Sequence, residues 1–298
     1  MTGRDPHESH RAATPLELLF DLTFVVAFGI AGNEMAHYLA EGNVFVGVAG
    51  FCFAVFGISW AWINFSWFAS AYDTDDWVYR LTTMLQMAGV LIFAIGIPQM
   101  FASIDGGPYF DNTVIVLGYV VMRVAMIIQW ARVARQNPDA RKVANVYMVA
   151  IGVAQVGWLI QAFTQTSLTT AAIWTAGLLL VELGGPIVAE RRLGGTPWHA
   201  HHIAERYGLL VIIALGEGMI GTMAAMSGPF TAQGWSLDFV LILTAGVVIV
   251  FGMWWSYFVI PWGEVLARHR NRSFGWGYGH ILIFGSVAAV GAGLHVAG

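Results

Sequence analysis

The stretch TPLELLFDLTFVVAF, residues 14–28, begins a long apolar run that also contains two carboxylates four positions apart, Glu17 and Asp21. About 20 predominantly apolar residues are enough for a helix to cross the hydrocarbon core of a bilayer. A charged side chain at the centre of such a helix costs about 2.5–3.5 kcal/mol on insertion scales. The two acids must therefore cap the helix, pair with a partner or take part in chemistry.

Composition places the whole chain in the membrane class. The sequence has 298 residues, of which 57% are hydrophobic and 11% are charged, whereas soluble domains carry about 25% charged residues. The single cysteine, Cys52, excludes an internal disulfide. Residues 1–14 lack the apolar core of a signal peptide, so we expect them to form a short cytoplasmic segment before one transmembrane domain, 15–298.

Apolar segments of spanning length predict an all-α, polytopic bundle of about nine transmembrane helices. Turn-forming sequences such as DGGPYFDN, NPDAR, GGTPWH and SGPFTAQG separate these segments. The predicted spans are approximately 16–38, 44–70, 77–101, 113–135, 143–163, 170–190, 204–226, 237–261 and 278–297.

The basic residues predict the orientation. Of the 14 Lys and Arg residues, all except Arg123 fall at helix ends that would lie on the same side as the N-terminus. By the positive-inside rule that side is cytoplasmic, so we expect a multi-pass protein of the bacterial inner membrane with a cytoplasmic N-terminus. Because the arginines follow the topology, they do not indicate nucleic-acid binding, and the expected partner is the lipid bilayer.

Two parts of the chain show a weak internal similarity. Glu17 and Glu205 each open a predicted helix, and WAWINFSWF in the second span is similar to WWSYFVIPW in the eighth. The equivalent helices would run in the same direction, so the repeat would be parallel. It would comprise a six-helix half, 15–190, and an incomplete half, 200–298. The alternative is that any two apolar helices can be matched.

Three long segments resemble the bacterial low temperature requirement A (LtrA) family. They are TPLELLFDLTFVVAF, WFASAYDTDDWVYRLTTMLQMAGVL and HIAERYGLLVIIALGE, and their order and spacing fit over nearly the whole chain. The resemblance implies a multi-pass membrane protein, for which transport is the activity commonly suggested. It implies no mechanism, substrate or cofactor.

Two acids are predicted to be helix caps. Thr14-Pro-Leu-Glu17 has the pattern of a capping box with proline at the first helical position. Glu205 would play the same part at the start of the seventh span, with His202 as the residue that begins that helix.

Five charged residues are predicted to form one network in the cytoplasmic half of the membrane. Asp21 lies one turn beyond the reach of a cap, and Arg123 needs a partner because arginine stays charged. From a rise of about 1.5 Å per residue, Asp21, Arg123 and Glu182 lie at similar depths of about 9–13 Å. Arg80 and Glu17 would complete the network. Its alternatives are structural ion pairs, a proton relay or an anion site.

Two further groups stand apart. Glu217, between two glycines, is placed beyond the membrane midplane and is the deepest acid of its helix. The segment WHAHHIAER contains His199, His201 and His202, which are weak candidates for a metal site because no second ligand cluster accompanies them. An interfacial cap and a pH-sensing role are the alternatives, and we predict neither a metal nor another cofactor.

Three functions remain open at this stage. The first is a small-solute secondary transporter or permease, with Asp21, Arg123, Glu182, Glu217 and Arg80 in a substrate or proton pathway. The second is an intramembrane enzyme acting on a lipid or hydrophobic metabolite through the histidine group. The third is a structural or sensory membrane protein. We favour the first, so an enzyme is the less expected class. The sequence indicates neither the solute, the coupling ion, the direction of transport nor the oligomeric state.

Overall fold

The computed structural model describes residues 1–8 and 11–296, except for the side chains of 224, 225, 227–233, 238, 295 and 296. The described chain contains helices and no strand, which confirms the all-α prediction. The helices are α1 (Pro15–Ala40), α2 (Val44–Tyr72), α3 (Trp77–Ile104), α4 (Thr113–Gln136), α5 (Arg141–Phe163), α6 (Leu168–Arg192), α7 (Ala200–Gln233), α8 (Leu237–Phe258), α9 (Trp262–Arg268) and α10 (Ser273–Val296).

Length and hydropathy make eight segments of the described chain long and apolar enough to cross a membrane. They are α1 to α6, residues 239–268 and residues 270–294. The other long helix, α7, has 34 residues and is not among those eight. The chain is thus a multi-pass helical membrane protein.

Backbone and side-chain contacts group the connecting segments at two ends of the bundle. At one end, here called the basic end, the N–H of Arg4 donates to the carbonyl of Ala71, and the N–H of His199 donates to Ser70. Arg270 reaches the same region by donating to the carbonyl of Trp198. At the opposite end, here called the far end, the N–H of Phe110 donates to Thr166.

Several helix starts are capped by local side chains, which bond backbone N–H groups that have no preceding carbonyl. The hydroxyl of Thr14 accepts from the N–H of Glu17, whose carboxylate accepts from the N–H of Thr14, so the capping box is present. Asp76 caps α3, while Ser167 and Ser236 cap α6 and α8.

The last two helices differ from the predicted spans. α7 begins at Ala200, about one turn before the predicted boundary, and α10 begins at Ser273 rather than near residue 278. The segment FGWGYG, which begins before the predicted span, is helical, and its Gly277 makes room for α7. A Cβ on Gly277 would lie 3.1 Å from the Tyr207 hydroxyl.

The helices are arranged around α1, which packs against α2, α3, α7 and α10. α7 in turn packs against α8, α9 and α10. α3 and α4 approach each other most closely through glycine: a Cβ on Gly118 would lie 2.3 Å from the backbone nitrogen of Phe93. Small residues of this kind let membrane helices bring their backbones together.

Gly118→Ala should therefore destabilise the bundle by forcing α3 and α4 apart. We expect a loss of about 1–3 kcal/mol in the free energy of unfolding, the usual cost of overpacking. Gly252→Ala on α8 is the matched control, because its Cβ would meet nothing within 4 Å. Unfolding by SDS in mixed micelles measures both variants, and equal midpoints would contradict the close contact.

Candidate functional site

A fully buried cluster joins α1 to α7 near the basic end. The Arg206 guanidinium donates to the Glu17 carboxylate at 2.7 Å and to Asp21 Oδ1 at 2.5 Å. A second bond from Arg206 Nε reaches Asp21 Oδ2 at 3.3 Å, and Trp62 Nε1 donates to Asp21 Oδ1 at 2.6 Å. The side chains of Arg206 and both acids are 0% exposed. Glu17 therefore caps α1 and also binds α7.

We call Glu17, Asp21, Trp62, His202 and Arg206 the anchor cluster. The ring nitrogen Nε2 of His202 lies 3.2 Å from Glu17 Oε1. Two edges of the Arg206 guanidinium are bonded to carboxylates, and its face lies 5.6 Å from the Trp62 ring centroid. Such complete pairing is what a buried arginine requires.

A second buried cluster lies on α2, α4, α5 and α6. Glu182 accepts hydrogen bonds from Trp60 Nε1 at 2.7 Å and from the Tyr119 hydroxyl at 2.9 Å. Trp158 Nε1 donates to the same carboxylate at 3.4 Å. Arg123 lies 3.5 Å from Glu182 and also donates to the Tyr119 hydroxyl. Tyr119 thus bridges the arginine and the carboxylate.

The prediction of a single network is therefore wrong. Asp21 and Glu17 pair with Arg206, whereas Arg123 pairs with Glu182. Equal depth along the membrane normal does not imply contact, because the helices also differ in lateral position.

Arg80 belongs to neither cluster. It forms a bidentate ion pair with Asp75, at 2.7 Å for the shorter contact, and both side chains are 56% exposed. Its place in the predicted network is taken by Arg206, which the sequence analysis counted as a charge beside a loop.

The start of α7 is also different from the prediction. His199 is the cap, because its Nδ1 accepts from the N–H of His202. An accepting Nδ1 leaves the proton on Nε2, which lies 2.9 Å from the carbonyl oxygen of Glu8. Glu205 is exposed and does not cap the helix.

The three histidines point to different partners. His199 bonds to the backbone, His202 faces Glu17, and Nε2 of His201 lies 3.2 Å from Glu264 on α9. No group of three or more potential metal ligands lies together in the part of the chain that the structure describes. The geometry gives the weak metal hypothesis no support.

Glu217 is remote from both clusters. Its carboxylate lies over Gly29 of α1, where a Cβ would be 2.8 Å from Oε2. It forms no hydrogen bond or ion pair with another side chain that the structure describes. Gly218 beside it packs on Gly291, which brings α7 and α10 together.

A cavity of about 650 Å³ opens at the basic end. Aromatic side chains are prominent in its wall, and Trp60 packs edge-on against Tyr278. Its wall includes Trp60, Trp67, Trp130, Tyr147, Glu190, Arg191, Thr196, Trp198, Arg270, Phe274 and Tyr278. We call this the basic-end cavity.

A second cavity of about 500 Å³ lies toward the far end and is almost entirely apolar. Its wall includes Cys52, Phe56, Tyr119 and Trp158. Phe56 stacks on Trp60 at a ring-centroid distance of 6.2 Å, so the two cavities come within one aromatic layer of each other. We call this the far-end cavity.

The second cluster separates these cavities. Trp60 lines the basic-end cavity, Tyr119 and Trp158 line the far-end cavity, and all three donate to Glu182. We define the septum as Trp60, Tyr119, Arg123, Trp158 and Glu182. One carboxylate therefore binds the walls of both cavities.

The family profile for the bacterial low temperature requirement A protein (LtrA) matches residues 12–298. The chain belongs to the LtrA family. A Rhizobium meliloti (strain 1021) protein, named only as uncharacterized protein RA0937, is 24% identical over 295 residues, covering 93% of this chain and 67% of its own length. No solved structure matches the chain significantly.

Within this LtrA-family protein, Arg206→Gln should be strongly destabilising. It leaves two buried carboxylates without their cation, and breaking a buried pair in this way costs about 3–5 kcal/mol. Arg80→Gln should leave the unfolding midpoint unchanged because its ion pair is exposed. SDS titration in micelles compares the two, and an Arg206→Gln midpoint equal to that of the native protein would refute the anchor role.

The His199 cap should make stability pH-dependent. Burial lowers the pKa of His199 below its ordinary value of 6.5, against the opposing effect of Glu8. During acidification the unfolded chain therefore binds this proton first, so stability is lost as pH falls from about 7 toward the folded-state pKa.

His199→Asn keeps a capping side chain and removes the titration. Thermal unfolding followed from about pH 8 to about pH 5 should show a smaller decline in this variant than in the native chain. An identical decline in both would assign the pH dependence to other groups, such as Glu8 or Asp73.

Proposed function

We propose that this LtrA-family protein is a small-solute permease or secondary transporter whose pathway joins the two cavities through the septum. The observation that carries the proposal is the position of Glu182. It is bonded by the walls of both cavities and paired with Arg123, so its interactions can seal or open the path between them. A purely structural ion pair would need no cavity on either side.

α6 is suited to be the moving element. It packs mainly on α5, and only Ala171, Leu178, Glu182 and Ala189 are buried along its 25 residues. Gly184, Gly185 and Pro186 follow Glu182 within about one turn. Glycine and proline are the residues at which helices bend. Bending there would move Glu182 relative to the donors on α2 and α4.

Coupling to protons is part of the proposal and is assigned to Glu182. Glu182 accepts hydrogen bonds from the walls of both cavities, so movement of α6 away from Arg123 would break its ion pair and open the carboxylate to the path. A proton and a solute would then share one conformational cycle. Asp21 is less suited, because Arg206 and Trp62 hold both of its oxygens and it lines neither cavity.

The orientation follows from the distribution of basic residues and forms part of the same proposal. The basic-end cavity would face the cytoplasm and the far-end cavity the outside of the inner membrane. The bilayer is then the partner of the exposed apolar helix faces. Glu217 lies on α7, away from the septum, and is proposed to line no part of this path.

Cysteine accessibility tests the pathway, because Cys52, the single native cysteine, is exposed in the far-end cavity. A membrane-impermeant maleimide should label Cys52 only from the far-end side of sealed vesicles. In a Cys52→Ala background, Thr196→Cys should be labelled only from the basic-end side. Trp60→Ala, which opens the septum, should allow labelling of each cysteine from both sides.

The control is Leu180→Cys in the Cys52→Ala background, on the same helix as Glu182 but 76% exposed on the outer face of the bundle. A lipid-facing cysteine should resist the impermeant reagent and react only with a permeant one. If Cys52 behaves like Leu180→Cys, the far-end cavity opens to lipid and the permease proposal fails. The buried ion pairs would then have only a structural role.

A further inference from the structure

We propose that the basic-end cavity binds a small organic anion with an aromatic body. The inference deepens the proposed function, because it names the class of solute that the pathway would carry. It rests on two features of the cavity wall: arginines without a carboxylate in ion-pair distance, and a group of aromatic side chains.

Glu190 is the single carboxylate among the residues that line the basic-end cavity, and both of its oxygens already accept hydrogen bonds. Its Oε1 accepts from the Tyr147 hydroxyl at 3.0 Å and from the Thr196 hydroxyl at 2.8 Å. Its Oε2 accepts from the N–H of Thr196 at 3.0 Å. These bonds hold the loop after α6 against α5. Glu190 thus has a structural task and is poorly placed to receive a cationic ligand.

Neither arginine at the mouth has a carboxylate within ion-pair distance, and Glu190 acts on Arg270 only at longer range. Arg270 stacks on Trp198 with 3.7 Å between its guanidinium carbon and the ring centroid, and it donates once to the carbonyl of Trp198. Arg191 lies over Phe274 at 5.5 Å. Neither forms an ion pair with a described acid. Two arginines therefore face one engaged carboxylate, which leaves the mouth net positive.

Stacking on the aromatic rings fixes these guanidinium groups without using most of their N–H donors. A planar guanidinium with free donors matches the geometry of a carboxylate. A ligand carboxylate would thus find fixed donors at the mouth. The reverse arrangement, an aromatic cage around a free acid, would favour an organic cation, and it is not present in this cavity.

The aromatic residues of the cavity wall suit a ligand with an aromatic ring. Trp67 and Trp198 meet at 4.8 Å, and Trp130 stacks on Tyr147 at 4.2 Å. The volume of about 650 Å³ is ample for a fused two-ring compound.

Isothermal titration calorimetry of the full chain in detergent tests the class of ligand with three matched probes. They are 2-naphthoate, its neutral amide 2-naphthamide and the cation 2-naphthylmethylammonium. We expect 2-naphthoate to bind at least about tenfold more tightly than either analogue. Inorganic phosphate, which has charge but no ring, should bind more weakly than 2-naphthoate. Equal or tighter binding of the cation or the amide would overturn the assignment.

Substitutions of single arginines test whether 2-naphthoate binds in the basic-end cavity. Arg270→Gln should weaken 2-naphthoate by about 10- to 100-fold, the effect expected from losing a charged hydrogen bond, and should leave 2-naphthamide unchanged. Arg270→Lys should restore part of the affinity. Arg192 follows Arg191 in the sequence but is exposed and does not line the cavity, so Arg192→Gln should leave 2-naphthoate binding unchanged. Equal losses in Arg270→Gln and Arg192→Gln would mean a diffuse surface effect and would refute the site.

Failure of this inference and failure of the permease proposal give different results. If the cysteines show one-sided accessibility but the cationic probe binds best, the pathway stands and the ligand class is wrong. If 2-naphthoate binds with the predicted Arg270 dependence but Cys52 is reached only through lipid, the anion site stands without a transport path. Neither result leaves the anion assignment undecided.

Discussion

The structure depends on pairing two arginines that lie inside an apolar bundle. Burying a cation in a low-dielectric region is costly, and the cost is offset only when carboxylates and further hydrogen bonds surround it. Arg206 meets Glu17 and Asp21 and so fixes α7 against α1. Arg123 meets Glu182 and Tyr119 and so links α4 to α6. Helix packing elsewhere is mainly close contact of small and aromatic side chains, which is less specific.

The sequence was sufficient for the class of fold and for most helix boundaries, because hydropathy and turn residues act locally. It was also sufficient to predict the capping box at Thr14, where Thr, Pro and Glu occur at fixed spacing. It did not reveal which helices are neighbours. Depth arithmetic placed Asp21 near Arg123, but lateral position is set by packing such as the α3–α4 glycine contact, and no single helix encodes that.

Arg206 was missed for a related reason. The predicted span began near residue 204, which put this arginine at the membrane surface with the other topological charges. α7 begins one turn earlier, at Ala200, because His199 provides the cap. A helix that starts earlier places Arg206 nearly two turns inside, opposite α1. The signal was present in the spacing of His202 and Arg206, four apart and therefore on one face, but a histidine cap is an unusual pattern.

The parallel repeat stays a prediction, although the packing has a feature that suits it. α1 contacts α2 and α3, and α7 contacts α8 and α10, which are the helices that the repeat would make equivalent. The anchor cluster then joins the first helix of one half to the first helix of the other. Two halves held together at that point could still differ in the freedom of α6, which belongs to the first half alone.

The two clusters are built differently, and this difference bears on their roles. Arg206 has short contacts to two carboxylates, so separating α1 from α7 would expose three charges at once. Arg123 is 3.5 Å from Glu182, and neutral donors on Trp60, Tyr119 and Trp158 supply most of the bonds to that carboxylate. Neutral donors are weaker than charged ones, and each belongs to a cavity wall that could equally bind a solute or water. The proposed permease needs one fixed joint and one that opens, and in that proposal α1 and α7 form the fixed pair and α6 the part that moves.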